Sequence, residues 1–345
     1  MQSIYTFTLS PDWLLINELS RIDGFGGSWA SIERQEGQSL KELKSIATVR
    51  SVGASTRIEG SKMTDDEVAV LVKDLKVSAL QERDQQEVAG YFEVLDIISA
   101  SFHDIDISEA VIKHLHHILM KYSKKDEWHK GNYKQHSNVV QATRTDGSKY
   151  VVFRTTAPGI ETEDAMRKLI AWYNSDTEAH PIVRAALFVY DFLSIHPFQD
   201  GNGRLSRLLT TLLLLKRGYP WIQYVSFEHE IESRKAEYYN VLMQCQRNRP
   251  GEDVLPWVMF FLKCLNNIQT QLLQKLQVQG HAAQMSPKER MVYVFIESHP
   301  GCSSGIISQK LDIPLPTIKK MLAGMVNKKF LLKNGIGKGT NYLVA

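Results

Sequence analysis

The chain has 345 residues, enough to bury more than one core, and a formal net charge of only +3, which excludes a chain-wide electrostatic role on nucleic acid or membrane. Its three cysteines, Cys245, Cys264 and Cys302, are scattered and form no C-x-x-C pair, which argues against a disulfide framework or thiolate zinc site and fits a reducing compartment. The opening MQSIYTFTLSPDWLL lacks a basic region, apolar run and small-residue cleavage site, and no apolar run reaches membrane-spanning length, so a soluble, cytoplasmic protein is expected.

Helical periodicity dominates from there on. Residues 1–37 are the hardest to read, with a glycine-rich interruption at Gly24, Gly26 and Gly27. SLKELKSIATVRSVGASTRIEG then carries apolar residues at helical spacing and ends on Gly60, a helix C-terminal signal. Thr64 with Glu67 forms a capping-box pattern that opens a helix toward Leu75. Further helices are predicted over Asp84–Ala100 and, capped by Ser108, through Leu115 and Leu119. Between Gly131 and Pro158 the helical pattern fails, and VVQATRTDGSKYVV reads as a β-hairpin turning at Asp146-Gly147. A helix over Thr162–Tyr173 precedes the nearly all-apolar PIVRAALFVYDFLSI. A second apolar helix, LLTTLLLLKRG, is stopped by Gly218 and Pro220. IESRKAEYYNVLMQ and VLPWVMFFLKCLNNIQTQLLQKLQ follow as helices, the last leading away from the main domain.

Composition changes after His281. Residues 286–345 hold nine Lys or Arg against three acids, about +6, leaving the rest of the chain near −3. Three short helices (Pro287–Ser298, Ser303–Leu311, Pro316–Asn327) and two strands, FLLK and NYLVA, around NGIGKGT match the winged-helix plan. Lys319, Lys320, Lys328, Lys329 and Lys338 fall on its third helix and wing, so DNA or protein is the expected partner of 286–345.

The chemistry concentrates in HPFQDGNGRLSR, residues 196–207. Gly201-Asn202-Gly203 precedes a helix, and glycines there let backbone N–H groups converge where the helix dipole is positive, an anion site. Arg204 and Arg207, three apart, share a helical face and suit further phosphates, with Leu205 and Ser206 between them. Asp200 is a hard oxygen ligand placed for Mg²⁺ bridging to phosphate, and His196 is the group able to take a proton near neutrality. No P-loop and no strand-borne G-x-G-x-x-G occurs.

This stretch resembles the Fic family signature H-x-F-x-[DE]-G-N-G-R-x-x-R at every specified position. The resemblance, looser over about 40–265, implies a mainly α fold: a Fic helical core with a β-hairpin flap. It further implies transfer of AMP from ATP to a Ser, Thr or Tyr hydroxyl of a target protein, self-modification included, with release of pyrophosphate. On that reading His196 is the base and Phe198 an anchor. Asp200 holds Mg²⁺, Gly201 to Gly203 form the anion hole, and Arg204 and Arg207 bind phosphates. STRIEG resembles the family's inhibitory motif: Ser55, Glu59 and Gly60 belong to an inhibitory helix (about 40–60), Ser55 helping to hold Glu59 and Glu59 taking Arg207 from the γ-phosphate. Lys149, Tyr150, Val151 and Val152 correspond to the flap that pins a target segment, and Tyr238, Tyr239 and Gln246 to the adenine pocket.

The chain thus divides into an N-terminal helical region (1–100), a Fic core (101–250), a connector (251–284) and a winged helix (285–345). Relatives often dimerise, so a homodimer is carried as an expectation. Two alternatives remain open: removal of AMP by the same site, with Glu59 orienting water, and a DNA-binding regulator in which the Fic part is a sensor. In HLHH (114–117) only His114 and His117 share a face, and no metal site is expected there.

Overall fold

The computed structural model describes residues 9, 12–74, 80–143, 149–283, 285–335 and 337–344. Two compact units result, residues 1–272 and 273–345.

In the first unit the N-terminal region is unexpectedly continuous. Helix α1 (Trp13–Gln35) runs straight through Gly24, Gly26 and Gly27, so the predicted interruption does not exist. Each glycine disfavours a helix by about 1 kcal/mol relative to alanine. Tertiary packing overrides this. Leu15, Ile22 and Trp29, seven apart, are buried, and the rings of Trp29 and Phe25 lie 5.3 Å from Tyr224 and 5.7 Å from Trp221. Helix α2 (Gly37–Ile58) follows, with Gly60 at φ +111, the left-handed region in which glycine is at home. Thr64 and Glu67 form the reciprocal capping box of α3 (Asp65–Lys73), and Leu75, the expected end of that helix, lies outside the described residues. Helix α4 (Arg83–Ser101) and the Ser108-capped α5 (Glu109–Leu119) pack at a close crossing. A Cβ on Gly90 would land on the Leu119 carbonyl oxygen, so only glycine fits there.

Strands β1 (Val139–Thr143) and β2 (Lys149–Arg154) pair antiparallel, with Val140 opposite Phe153 and Gln141 opposite Val151. Val152 is therefore the extra residue of a bulge. The Asp146-Gly147 turn and the side chains of Lys149, Tyr150, Val151 and Val152 lie outside the described residues.

Helix α6 (Ile160–Ser175) leads to the core pair α7 (Pro181–Ile195) and α8 (Asn202–Lys216), which pack on each other and are buried almost end to end. Helix α7 is apolar nearly all round, whereas α8 buries Arg204, Ser206, Arg207, Thr210 and Thr211 beside its leucines, so both are enclosed on every side. Gly218 at φ +86 and a 3₁₀ turn at Pro220–Tyr224 end this pair. The segment read as one helix from Ile231 is two: α9 (Phe227–Ser233) and α10 (Lys235–Gln246) break at Arg234. Arg234 leaves helical geometry with its guanidinium forked on Glu237 and lying over the Phe260 ring.

Helix α11 (Leu255–Ala283) spans both units. The second unit continues with α12 (Pro287–Ser298), α13 (Ser304–Leu311), α14 (Leu315–Asn327) and the antiparallel strands β3 (Leu331–Asn334) and β4 (Asn341–Val344). Val292, Ile296, Ile307, Ile318, Leu322 and Met325 form its core. Lys319, Lys320, Lys328 and Lys329 are exposed, and the Lys338 side chain lies outside the described residues.

Candidate active site

The signature stretch joins the C-terminus of α7 to the N-terminus of α8, the two most buried helices of the chain. His196 ends α7 in a left-handed conformation (φ 54, ψ 59), uncommon for a residue with a Cβ, and its ring lines an open cleft. Glu59, Asn138, Gln199, Asp200, Gly201, Asn202, Gly203, Arg207, Tyr238 and Tyr239 also line that cleft. His196 Nδ1 lies 3.4 Å from the Leu193 carbonyl. Burial, and then the nearby Lys134 charge, push its pKa down to about 4, so the imidazole is neutral at physiological pH and able to accept a proton.

The turn is braced from within. Phe198 is fully buried, its N–H donates to Asn202 Oδ1 (2.9 Å) and its carbonyl accepts from Asn202 Nδ2 (2.7 Å). The Asn202 side chain thus closes the loop and leaves its backbone to face the cleft. Gly201 has φ +80, and a Cβ on it would press on Met120 Sδ and His116 Nε2. A Cβ on Gly203 would strike Glu59 Oε1. Both glycines therefore allow a close backbone approach.

His116 was not singled out by the sequence. Its ring stacks on Phe198 (3.8 Å, 7°), its Nδ1 accepts from the Gly131 N–H (2.9 Å) and its Nε2 donates to the Asp200 carbonyl (2.9 Å). These partners fix the neutral Nε2–H tautomer, and burial, first among several influences, lowers its pKa to about 3. The available signal was its phase: His116 falls with Ile112 and Leu119 on the apolar stripe of α5, where a polar residue needs a reason to be. Lys134 and Glu87 were missed as well. Lys134 braces the other side of the turn, and Glu87 pairs with Arg83 and Arg204.

The structure separates the two signature arginines. Arg204 does not line the cleft: it is buried beside Glu87 (3.3 Å) and Asp200 (3.5 Å), and supports the acid from behind. Burial would raise the Asp200 pKa, but Arg204, the Gly201 N–H and Arg83 outweigh it and hold the carboxylate ionised. Arg207 does face the cleft, 2 % exposed, and its partner there is Glu59 Oε1 at 2.8 Å. Burial acts against its charge, but Glu59, Tyr238 and Tyr91 raise its pKa, so it stays a cation. Ser55 holds Arg207 rather than Glu59: its Oγ and carbonyl accept from Arg207 Nε (2.8 Å) and Nη2 (2.9 Å). The reason is geometric, since the guanidinium reaches α2 between the two residues.

Glu59 is carried on a segment moored at its flank. Arg57 forks Nε and Nη2 onto Glu232 of α9 (2.7 and 3.1 Å), and Nη1 pairs with Asp65. Lys235 of α10 donates to the Ile58 carbonyl (2.6 Å).

Leu205 points into the core and Ser206 donates to the Gly203 carbonyl (2.8 Å), so neither lines the cleft. Tyr238 is buried, with its hydroxyl against Ser206 and Arg207, and Tyr239 borders the cleft beside it. Gln246 is off the cleft: its amide donates to Ser194 Oγ (2.7 Å) two turns deeper along α10. Strand β2 runs beside α10. Among the described residues no group of three His, Cys, Asp or Glu side chains is placed to hold a metal ion. Asp200, an ionised hard-oxygen donor 42 % exposed, fits an ion such as Mg²⁺ that takes one protein carboxylate and completes its shell from phosphate and water.

A left-handed histidine, a glycine-lined helix N-terminus and a buried arginine thus meet in one cleft. Residues 106–214 match the Fic/DOC family, and the chain carries a Fic/DOC domain there. The protein is similar to Protein adenylyltransferase Fic of Drosophila melanogaster, 27 % identical over 250 residues, covering 71 % of this chain and 46 % of that protein. It spans about half the length of the curated relatives it matches. A Fic family protein from Desulfovibrio desulfuricans superposes with a TM-score of 0.67 over 99 % of this chain and 98 % of that one, at 23 % identity. A Fic domain containing signaling protein from Bacteroides thetaiotaomicron gives 0.60 over 74 % and 97 %, at 25 % identity.

Proposed function

We propose that the protein is an autoinhibited protein adenylyltransferase. The observation that carries this reading is the pair Glu59–Arg207 (2.8 Å) in the same cleft as His196 and Asp200. A target hydroxyl oxygen attacks the α-phosphorus of ATP, its proton passes to His196, and the bond from the α-phosphorus to the bridging oxygen breaks to release pyrophosphate. Backbone N–H groups at Gly201–Gly203 and the start of α8 stabilise negative charge on the phosphate oxygens. Asp200 would hold Mg²⁺, which supplies charge neutralisation on the phosphates. Glu59 occupies Arg207 and so keeps it from the terminal phosphate of ATP. Tyr238 and Tyr239 are the side chains suited to flank the base.

Incubation with α-labelled ATP and Mg²⁺ tests this. Label is expected on the protein itself, at least tenfold more for Glu59→Gly than for the parent, and absent for His196→Ala. Equal labelling of parent and Glu59→Gly defeats the inhibitory role; no labelling of either defeats the transferase reading.

For residues 273–345 we propose a winged-helix module that contacts nucleic-acid phosphates. The exposed Lys319 and Lys320 on α14 and Lys328 and Lys329 ahead of β3 favour a polyanion.

A further inference from the structure

We propose that Lys134 is a positioning residue that couples the β1–β2 hairpin to the His196 turn; this rests on the reading of His196 as the base. Lys134 is 2 % exposed, and among the described residues no carboxylate pairs with it. Its ammonium has three protons and spends them on three acceptors: the Ile195 carbonyl (3.0 Å), Thr155 Oγ1 (2.8 Å) and Asn138 Oδ1 (3.2 Å). Asn138 is the residue immediately before β1, and Thr155 the residue immediately after β2. Both roots of the hairpin therefore meet on one nitrogen, and the third bond reaches the last carbonyl of α7.

The same residues bracket His196 on both sides. The Lys134 N–H donates to the Pro197 carbonyl (2.8 Å), Asn138 Nδ2 donates to the Phe198 carbonyl (2.9 Å), and Thr156 Oγ1 joins Lys134 on the Ile195 carbonyl (2.9 Å). A left-handed residue with a Cβ persists only where its surroundings over-determine it. Carbonyls 195, 197 and 198, held by groups at the base of the hairpin, supply that. A cation at the C-terminus of α7 also complements the helix dipole.

A neutral side chain would fill this space without the cost of burying a charge, a cost visible in the Lys134 pKa, lowered to about 8 by burial. No neutral side chain offers three donors from one atom. The hairpin and the turn would then move as one body, so anything that seats an extended segment on the hairpin also steadies the ring of His196.

Hydrogen–deuterium exchange of the full chain tests the coupling without any assay of activity. In Lys134→Met, peptides covering the hairpin and peptides covering 193–203 should both exchange at least tenfold faster, with α4 and residues 285–344 unchanged, and Lys134→Arg should restore most of the protection. Faster exchange in the hairpin alone overturns the proposal, as does no change in either. Should Lys134→Met unfold, Thr155→Val is read instead: loss of protection in the turn as well as the hairpin supports the coupling, and loss in the hairpin alone overturns it. In a Glu59→Gly background, Lys134→Met should lower the labelling kcat more than tenfold while moving the KM for ATP less than twofold, since Lys134 is not on the cleft wall; a loss wholly in KM for ATP counts against it. Absence of labelling in Glu59→Gly itself defeats the transferase reading and leaves the exchange result to decide the coupling.

Discussion

An imidazole in water is half protonated near pH 6.5. Burial, with the Lys134 charge, takes His196 to about 4, and burial takes His116 to about 3. Both rings should therefore remain neutral at pH 5.5, which ring-nitrogen NMR shifts would check. The unfolded chain binds protons near pH 6.5 that the folded chain refuses, so the stability tied to both rings is whole above pH 6.5 and lost progressively as pH falls toward 4 and then 3. The urea midpoint should drop between pH 7 and pH 5, and drop less in His116→Asn. Asn202 offers a second test at this scale. Asn202→Ala removes both bonds to the Phe198 backbone and leaves the buried N–H without a partner, while the carbonyl keeps Asn138 Nδ2, so it should cost about 1–3 kcal/mol in equilibrium unfolding.

At the scale of elements, close crossings set the frame that holds the turn. Gly90→Ala forces α4 off the Leu119 carbonyl, an overpacking that should destabilise by about 1–3 kcal/mol and lower the melting temperature. Calorimetry of that variant checks it. What the sequence made legible at this scale was local chemistry: the capping box at Thr64, the Ser108 cap and the glycine stop at Gly218 each act within four residues of themselves. What it hid was long-range. Helix α1 survives three glycines because Phe25 and Trp29 meet Trp221 and Tyr224, nearly 200 positions away. The signature named the residues of the turn, yet both arginines carried the same pattern of three-residue spacing, and only packing against Glu87 sends Arg204 behind the site while Arg207 enters it. The role of His116 was hidden for a similar reason, because its phase on α5 marks it as buried but its partners Gly131 and Asp200 are assembled by the fold.

Over the whole molecule, charge is divided between the two units. No helix among the described residues is long and apolar enough to cross a membrane. The basic C-terminal part should give a mobility shift with duplex DNA that weakens steeply with added salt and disappears when residues 286–345 are removed. An unchanged shift after that deletion would assign binding elsewhere. On the proposed reading, salt also acts on the first unit. The Glu59–Arg207 pair has Arg207 at 2 % and Glu59 at 32 % exposure, and the Arg57–Glu232 fork that moors the same segment stands at 22 % and 23 %. Mobile ions reach both, the fork through each of its partners and the pair through Glu59. Self-labelling by the parent protein should then rise between 50 mM and 500 mM potassium chloride, with a smaller rise in Arg57→Met, whose mooring is already gone. The brake on this site would then be graded by the ionic composition around it as well as by the nucleotide it holds back.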